Sequence, residues 1–306
     1  MNKHLVVSLV YCLVAMIGLT ACDNNKSPQS QSGSDNCTDY TLRVTGDATV
    51  LQKTADVLQK RLVAYGIDNP DVKVDNGHIV VKVPSQEDQG SIKMLLEWGG
   101  DVGFYETYDE AGFGGGLEDF AHNTDDETGK SLAELFAFNK MLSSVPVVGF
   151  ALPGDTAVVN RIVNMPAVKT SLPAGLKLVW SAKNGYVDKD RLELIALRTV
   201  DGAPAMDGST IISATSEQDQ YGENVVSMCM NDEGASQWSR MTEHNIARAI
   251  AIVIDNKVYC HPVVNSQIDG GRVSIASRFT DEEAKCMAAV LQGGKLPAAV
   301  TIIPKK

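Results

Sequence analysis

Asn76-Gly77 stands between two short alternating runs, Asp71–Val74 and His78–Val83, and no other feature narrows the fold as much. Both residues tolerate a positive φ, which a two-residue turn joining antiparallel strands demands. The surroundings agree with a sheet built on that hairpin. Tyr40 to Thr45 alternates like a strand, and Ala48 to Tyr65 sets Val50, Leu51, Ala55, Leu58, Leu62 and Val63 at helical spacing. Gly66 then stands where a helix C-cap belongs. Gln89 to Trp98 reads as a second helix and Asp101 to Tyr108 as a fourth strand. The order β-α-β-β-α-β predicts a ferredoxin-like α+β unit, with helices packed on one face of an antiparallel sheet.

Asp109 to Asp126 is rich in glycine and acid and interrupts this pattern. Its Gly112-Phe-Gly-Gly-Gly116 has the wrong spacing for a dinucleotide-binding turn and no helix follows at once, so the segment reads as a linker. Beyond it, helices are expected at Leu132–Leu142 and Asp155–Val163, and strands at Leu176–Trp180 and Leu192–Thr199. Strands follow at Ile211–Ala214 and Val225–Met230, then a helix from about Glu233 to Ile246 capped by Asn231 or Asp232. Ala249–Ile254 and Lys257–Cys260 form a strand pair turned at Asp255-Asn256. Arg272–Ala276 is a strand, Thr280–Leu291 a helix opened by the capping box Thr280-Asp-Glu-Glu283, and Ala299–Ile303 a last strand.

The N-terminus speaks for export. Lys3 and His4 precede an apolar run from Leu5 to Leu19, about fifteen residues, short of the roughly 20 that a membrane span needs but right for a signal-peptide core. Leu19-Thr20-Ala21-Cys22 has the form of a lipobox, so Cys22 is the expected lipidation site and residues 1–21 the signal peptide. Residues 22–37 carry Ser, Gln, Asn and Gly with hardly an apolar side chain, the composition of a flexible tether. The body would then lie in the periplasm, held to the inner or the outer membrane by lipid alone. A net charge of −11 without a basic stripe excludes the electrostatic footprint of a nucleic-acid binder. Of six cysteines, Cys37, Cys229, Cys260 and Cys286 would remain in the folded body. Four cysteines allow three pairings, and the choice between a Cys229–Cys260 bridge and free thiols stays open.

Catalytic constellations do not emerge. There is no HExxH helix, G-x-S-x-G elbow, P-loop or C-x-x-C, and adjacent Cys260 and His261 point to opposite faces of a strand. The acidic run Asp125-Asp126-Glu127 reads as a solvated loop. No enzyme, no cofactor and no metal site is expected.

A resemblance gives this fold a context. Asp207-Gly-Ser-Thr-Ile-Ile-Ser-Ala214, Val225–Asn231, Glu233-Gly-Ala235, Thr242, Asn245, Ala251–Asp255, Lys257-Val-Tyr259, Pro262, Ile268-Asp-Gly-Gly271, Phe279-Thr280, Glu283-Ala284 and Leu291–Pro297 follow one another in the order found in SecD. Earlier, Leu58–Gly66 and Ile79–Pro84 are similar to that family's base subdomain, while Phe104–Tyr108 and Trp180 look closest to fused SecDF proteins of Bacteroidetes type. The chain thus resembles the large first periplasmic domain of SecD over roughly residues 40–306. The resemblance implies two SecD-like subdomains, a base at 38–109 with 298–306 and a head at 110–297 inserted into it. It implies a non-enzymatic, membrane-anchored module that binds extended, unfolded exported polypeptide or components of the Sec translocon. The alternative is an orphan SecD-like interaction lipoprotein with an unrelated envelope partner. Gly270, Gly271, Asp255, Tyr259, Pro262 and Pro297 are the candidate head-motif and hinge residues, with residues 109–126 and 296–299 as the hinge. The resemblance does not extend to the family's transmembrane helices, so a motor is not expected here. Cys22→Ser should abolish incorporation of labelled palmitate and leave either an uncleaved precursor or a soluble protein on fractionation. A processed, membrane-bound variant would refute the anchor.

Overall fold

The hairpin forms where the sequence places it. β2 (Asp71–Asp75) and β3 (His78–Pro84) pair antiparallel with Asp75 opposite His78, and Asn76 and Gly77 turn at φ 48° and 77°. The computed structural model describes residues 37–108, 116–139, 145–185 and 188–304. Ahead of the hairpin lie β1 (Cys37–Val44) and α1 (Ala48–Tyr65). After it come α2 (Gln89–Glu97), β4 (Val102–Thr107), α3 (Leu132–Leu135), β5 (Phe136–Phe138), β6 (Val147–Ala151), α4 (Thr156–Val163) and α5 (Pro166–Ser171). Next are β7 (Leu176–Trp180), β8 (Leu192–Arg198), β9 (Met206–Asp207), β10 (Ile211–Gln218), β11 (Asn224–Met230) and α6 (Asp232–His244). The chain closes with β12 (Ile250–Ile254), β13 (Lys257–Cys260), β14 (Arg272–Ala276), α7 (Asp281–Gly293) and β15 (Val300–Ile303).

Local chemistry sets the helix ends. Asp47 caps α1 through its carboxylate and the Val50 N–H, and Gly66 closes that helix at φ 112°, the left-handed turn in which glycine costs least. Asn231 accepts from the Gly234 N–H at the start of α6, and Thr280 and Glu283 exchange bonds as the capping box of α7.

Among the described residues three antiparallel sheets form, and the fold is α+β. The first has the order β15-β1-β3-β2, the second β10-β11-β14, and the third β13-β12-β4-β8-β6-β5 with β7 also on β8 and β9 on β4. The fourth strand of the first sheet is therefore β15, from the far end of the chain, and not β4. The reason is burial. Val102 and Phe104 face one core together with Ile250 and Ile252, while Tyr105 faces another with Ala251 and Val253. A strand apolar on both faces needs a covered sheet, and β4 finds one beside β12.

The helix that completes the first sheet is likewise α7. It packs along α1, with Cys286, Ala289 and Val290 in the core of the first sheet and Ala284, Met287, Ala288 and Leu291 in the core shared by the second and third sheets. A helix apolar nearly all round is a buried helix. In chain order, β1-α1-β2-β3 and α7-β15 make a ferredoxin-like β-α-β-β-α-β ring, with the residues between β3 and α7 inserted before its last helix.

Other departures are local. The helix expected at 132–142 stops after Leu135, because Phe136 and Phe138 enter a strand opposite Ala151 and Gly149 and leave their rings packed edge to face. The acidic run is not simply solvated. Asp125 is 2% exposed and takes a two-pronged bond from Arg161, at 2.7 and 2.9 Å, which holds its carboxyl well below the usual carboxylate range. Leu117 is buried as well, so the described part of the expected linker is tied down. Cys37, Cys229, Cys260 and Cys286 are free thiols. Among the described residues no helix is long and apolar enough to cross a membrane.

Val253 lies mid-strand in β12, 3% exposed, with apolar neighbours on both faces of the sheet. Val253→Asp should abolish the cooperative thermal transition, since an unpaired buried carboxylate costs several kcal/mol, comparable to a domain's whole stability of about 5–15 kcal/mol. Far-ultraviolet circular dichroism reads the outcome; melting near the wild-type temperature would contradict the placement of β12.

Candidate functional site

β13 and β14 are the end strands of two different sheets, and they converge. Between them lies a cavity of about 270 Å³, lined by Val258–Pro262 from the β13 side, Ser274 and Ala276–Arg278 from the β14 side, and Ser181 and Lys183–Gly185 with Glu193 from the β7–β8 side. Beside it Tyr259 stacks on Phe279, ring centroids 6.0 Å apart, and burial pushes the Tyr259 hydroxyl up to about 12. Cys260 is also held protonated: burial pushes its thiol up to about 12, against a weaker opposing bond from the Ala276 backbone. A nucleophilic cysteine needs the reverse shift. The polar marker of the cavity is His261, whose Nε2 lies 3.3 Å from the carboxylate of Glu193, itself only 7% exposed. Gly185 permits this, because a Cβ there would fall 2.6 Å from Glu193 Oε1. Among the described residues no cluster of three or more His, Cys, Asp or Glu could hold a metal ion. The arrangement offers strand ends, an aromatic stack and a few polar groups, which suits binding.

A second cluster fixes how the first sheet meets the rest. Arg61 of α1 is 0% exposed and donates to four carbonyls: Leu95 at 3.1 Å, Trp98 at 2.5 Å, Gly99 at 2.9 Å and Gly294 at 2.7 Å. Burial lowers its guanidinium to about 10, with Asp255 pulling the other way, so it stays charged at neutral pH. Asp255 belongs to the β12–β13 turn, at φ 49°, and accepts from the Gly100 and Asp101 N–H groups at 3.1 and 2.9 Å. Gly99 also accepts from the Leu296 N–H at 2.7 Å. Four turns and helix ends thus meet on one cation. Space is tight there: a Cβ on Gly293 would sit 2.4 Å from Arg61 Cγ, and one on Gly100 would sit 2.6 Å from its Nη2.

Comparison with known proteins places this architecture. Residues 188–298 match the family model described as SecDF, P1 head subdomain. The protein translocase subunit SecD of Rhodothermus marinus is 31% identical over 286 residues, 84% of this chain and 46% of that protein. SecD of Sebaldella termitidis is 38% identical over 102 residues, 33% of this chain and 25% of its own. This is a SecD-like protein. A solved structure of SecDF, described as a membrane component that enhances protein export, shares the fold with a TM-score of 0.52 at 22% identity, covering 88% of this chain and 99% of that one. The chain spans about half the length of the Rhodothermus relative.

The SecD-like residues singled out in the sequence fall into three places. Tyr259 and Pro262 line the cavity. Asp255 stands at the Arg61 cluster, and Pro297 follows Leu296 there on the way into β15. Gly270 and Gly271 form a turn apart from both, at φ 85° and 62°, where Gly271 accepts from the Met230 N–H and a Cβ would press to 2.8 Å on Ala235. Cys22 lies outside the described residues. Sequence reasoning passed over Arg61, Glu193 and Lys183. Arg61 was detectable as a charge in the apolar stripe of Leu58 and Leu62, and Glu193 as a charge inside an apolar strand. Lys183 carries no local signal.

Arg61→Met should lower stability by at least about 3 kcal/mol, because it strands several buried carbonyls at roughly 1–3 kcal/mol each. Arg61→Lys should recover only part, since one ammonium cannot reproduce the planar fork. Urea unfolding reads both; a loss under about 1 kcal/mol for Arg61→Met would mean that the carbonyls find other donors.

Proposed function

We propose that this SecD-like body is a non-enzymatic module of protein export that holds extended polypeptide where β13 and β14 converge. The observation that carries the reading is the convergence of two end strands over a cavity with an aromatic stack. End strands offer unpaired main-chain groups to an incoming strand, and pockets beside them take alternate side chains. Similarity to proteins named protein translocase subunits supports a role in export. In this proposal the base is built on the four-stranded sheet and the head on the other two. So β4, inside the expected base 38–109, goes with the head, and α7, inside the expected head 110–297, packs into the base beside 298–306. Lipid on Cys22 keeps both in the periplasm near the Sec translocon. A movement at residues 296–299 would have to break the Leu296 bond to Gly99, next to the Arg61 bond to Gly294.

The test is a titration of a permanently unfolded exported polypeptide into the whole chain at several salt concentrations. Apolar and main-chain contact predicts a Kd of about micromolar strength with little salt dependence, although the chain carries −11. Ser274→Trp should fill the cavity and weaken binding about tenfold or more, a change worth about 1.4 kcal/mol, while leaving the melting temperature almost unchanged, since Ser274 is exposed. Binding that survives Ser274→Trp, or that vanishes between low and physiological salt, would refute the site.

A further inference from the structure

Residues 181–185 continue β7 at the end of its pairing with β8, where the Ser181 and Gly185 N–H groups donate to the Glu193 and Arg191 carbonyls at 2.8 Å each, and they also fasten onto the loop between β14 and α7. Lys183 Nζ donates to Glu283 Oε2 at 2.6 Å and to the Arg278 carbonyl at 2.9 Å, and lies 5.1 Å from the centre of the Phe279 ring. Arg278 returns a bond from its guanidinium to the Asn184 carbonyl. The same segment takes part of the free side of β13, because the Ala182 N–H donates to the Val258 carbonyl at 2.7 Å and Ser181 bridges Val258 in parallel. These are contacts at a single point, not a ladder; β13 otherwise pairs with β12. Residues 181–185 therefore sit where an added strand would pair, and Ser181, Lys183, Asn184 and Gly185 line the cavity together with β13 and β14.

We infer that residues 181–185 form an internal latch, pinned by Lys183 on Glu283, which an extended polypeptide must displace to pair with β13. This rests on the holding function proposed above and adds its regulation. The Lys183–Glu283 pin is suited to release: both side chains are partly exposed, at 27% and 37%, so the pair is weak enough to open at modest cost. Glu283 does not need Lys183 to keep α7 capped, since it also accepts from the Thr280 N–H at 2.9 Å. Opening the latch frees the Val258 carbonyl and the aromatic stack in one movement. A binding-competent state populated only in part reduces apparent affinity by that fraction, and loss of the pin should restore it.

The experiment uses the whole chain as wild type, Lys183→Met and Glu283→Gln. It reads amide exchange at Ala182 and binding of a disordered peptide of alternating apolar and polar residues. Both variants should speed Ala182 exchange and tighten peptide binding, each by about fivefold, the scale of one partly exposed ion pair expressed through the open population. Unchanged exchange in Lys183→Met overturns the latch, because the pin then holds nothing. Faster exchange with wild-type affinity also overturns it, because the segment then does not compete with the peptide. Absence of binding in wild type and variants alike overturns the holding function and the gating together, which separates that failure from failure of the latch alone.

Discussion

A buried guanidinium decides how this protein is put together. Arg61 gives up water on all sides, a costly step that is offset only because four carbonyls from three different turns and helix ends converge on it. Those carbonyls belong to the last turn of α2, the bend before β4, and the bend after α7. Those of Leu95, Trp98 and Gly294 lie at helix ends, where the final carbonyls have no partner within the helix. Arg61 is thus a C-cap shared by two helices and supplied by a third. The glycines at 100 and 293 make its approach sterically possible, and Asp255 adds a compensating charge from the β12–β13 turn.

The groove inherits its geometry from that joint. α7 ends at Arg61, and Lys183 lands on Glu283 in its first turn. Along its length it is buried on two sides, in the core of the four-stranded sheet and in the core shared by the other two. The loop carrying Arg278 and Phe279 therefore has one rigid end, and the distance between β13 and β14 is set by a helix anchored elsewhere.

Much of this was readable from the residues. The Asn76-Gly77 turn, the Gly66 cap, the Asn231 cap and the Thr280–Glu283 box are local devices, and each is found where its chemistry predicts. What the residues alone could not announce is which strand neighbours which across long stretches of chain. β4 left its expected place in the first sheet because partner choice depends on burial of both faces, a property of the assembled sheets. The cavity shows the same divide. Tyr259 and Pro262 were marked in advance within a recognisable strand, whereas Glu193, Lys183 and the 181–185 segment reach it from distant parts of the chain.

The pairing of β1 with β15 has a consequence in time. Thr41 lies opposite Ile303, so the first sheet closes on residues at opposite ends of the body. A chain that emerges N-terminus first must leave that side of β1 open until everything between has appeared. Closing so long a loop is slow, although each doubling of its length adds only about 0.6 kcal/mol to the entropic cost. Throughout that interval an unpaired β1 can template association with other unfinished chains. Quality control of this protein would therefore act on β1, and the arrival of β15 would be the signal that the first sheet is closed.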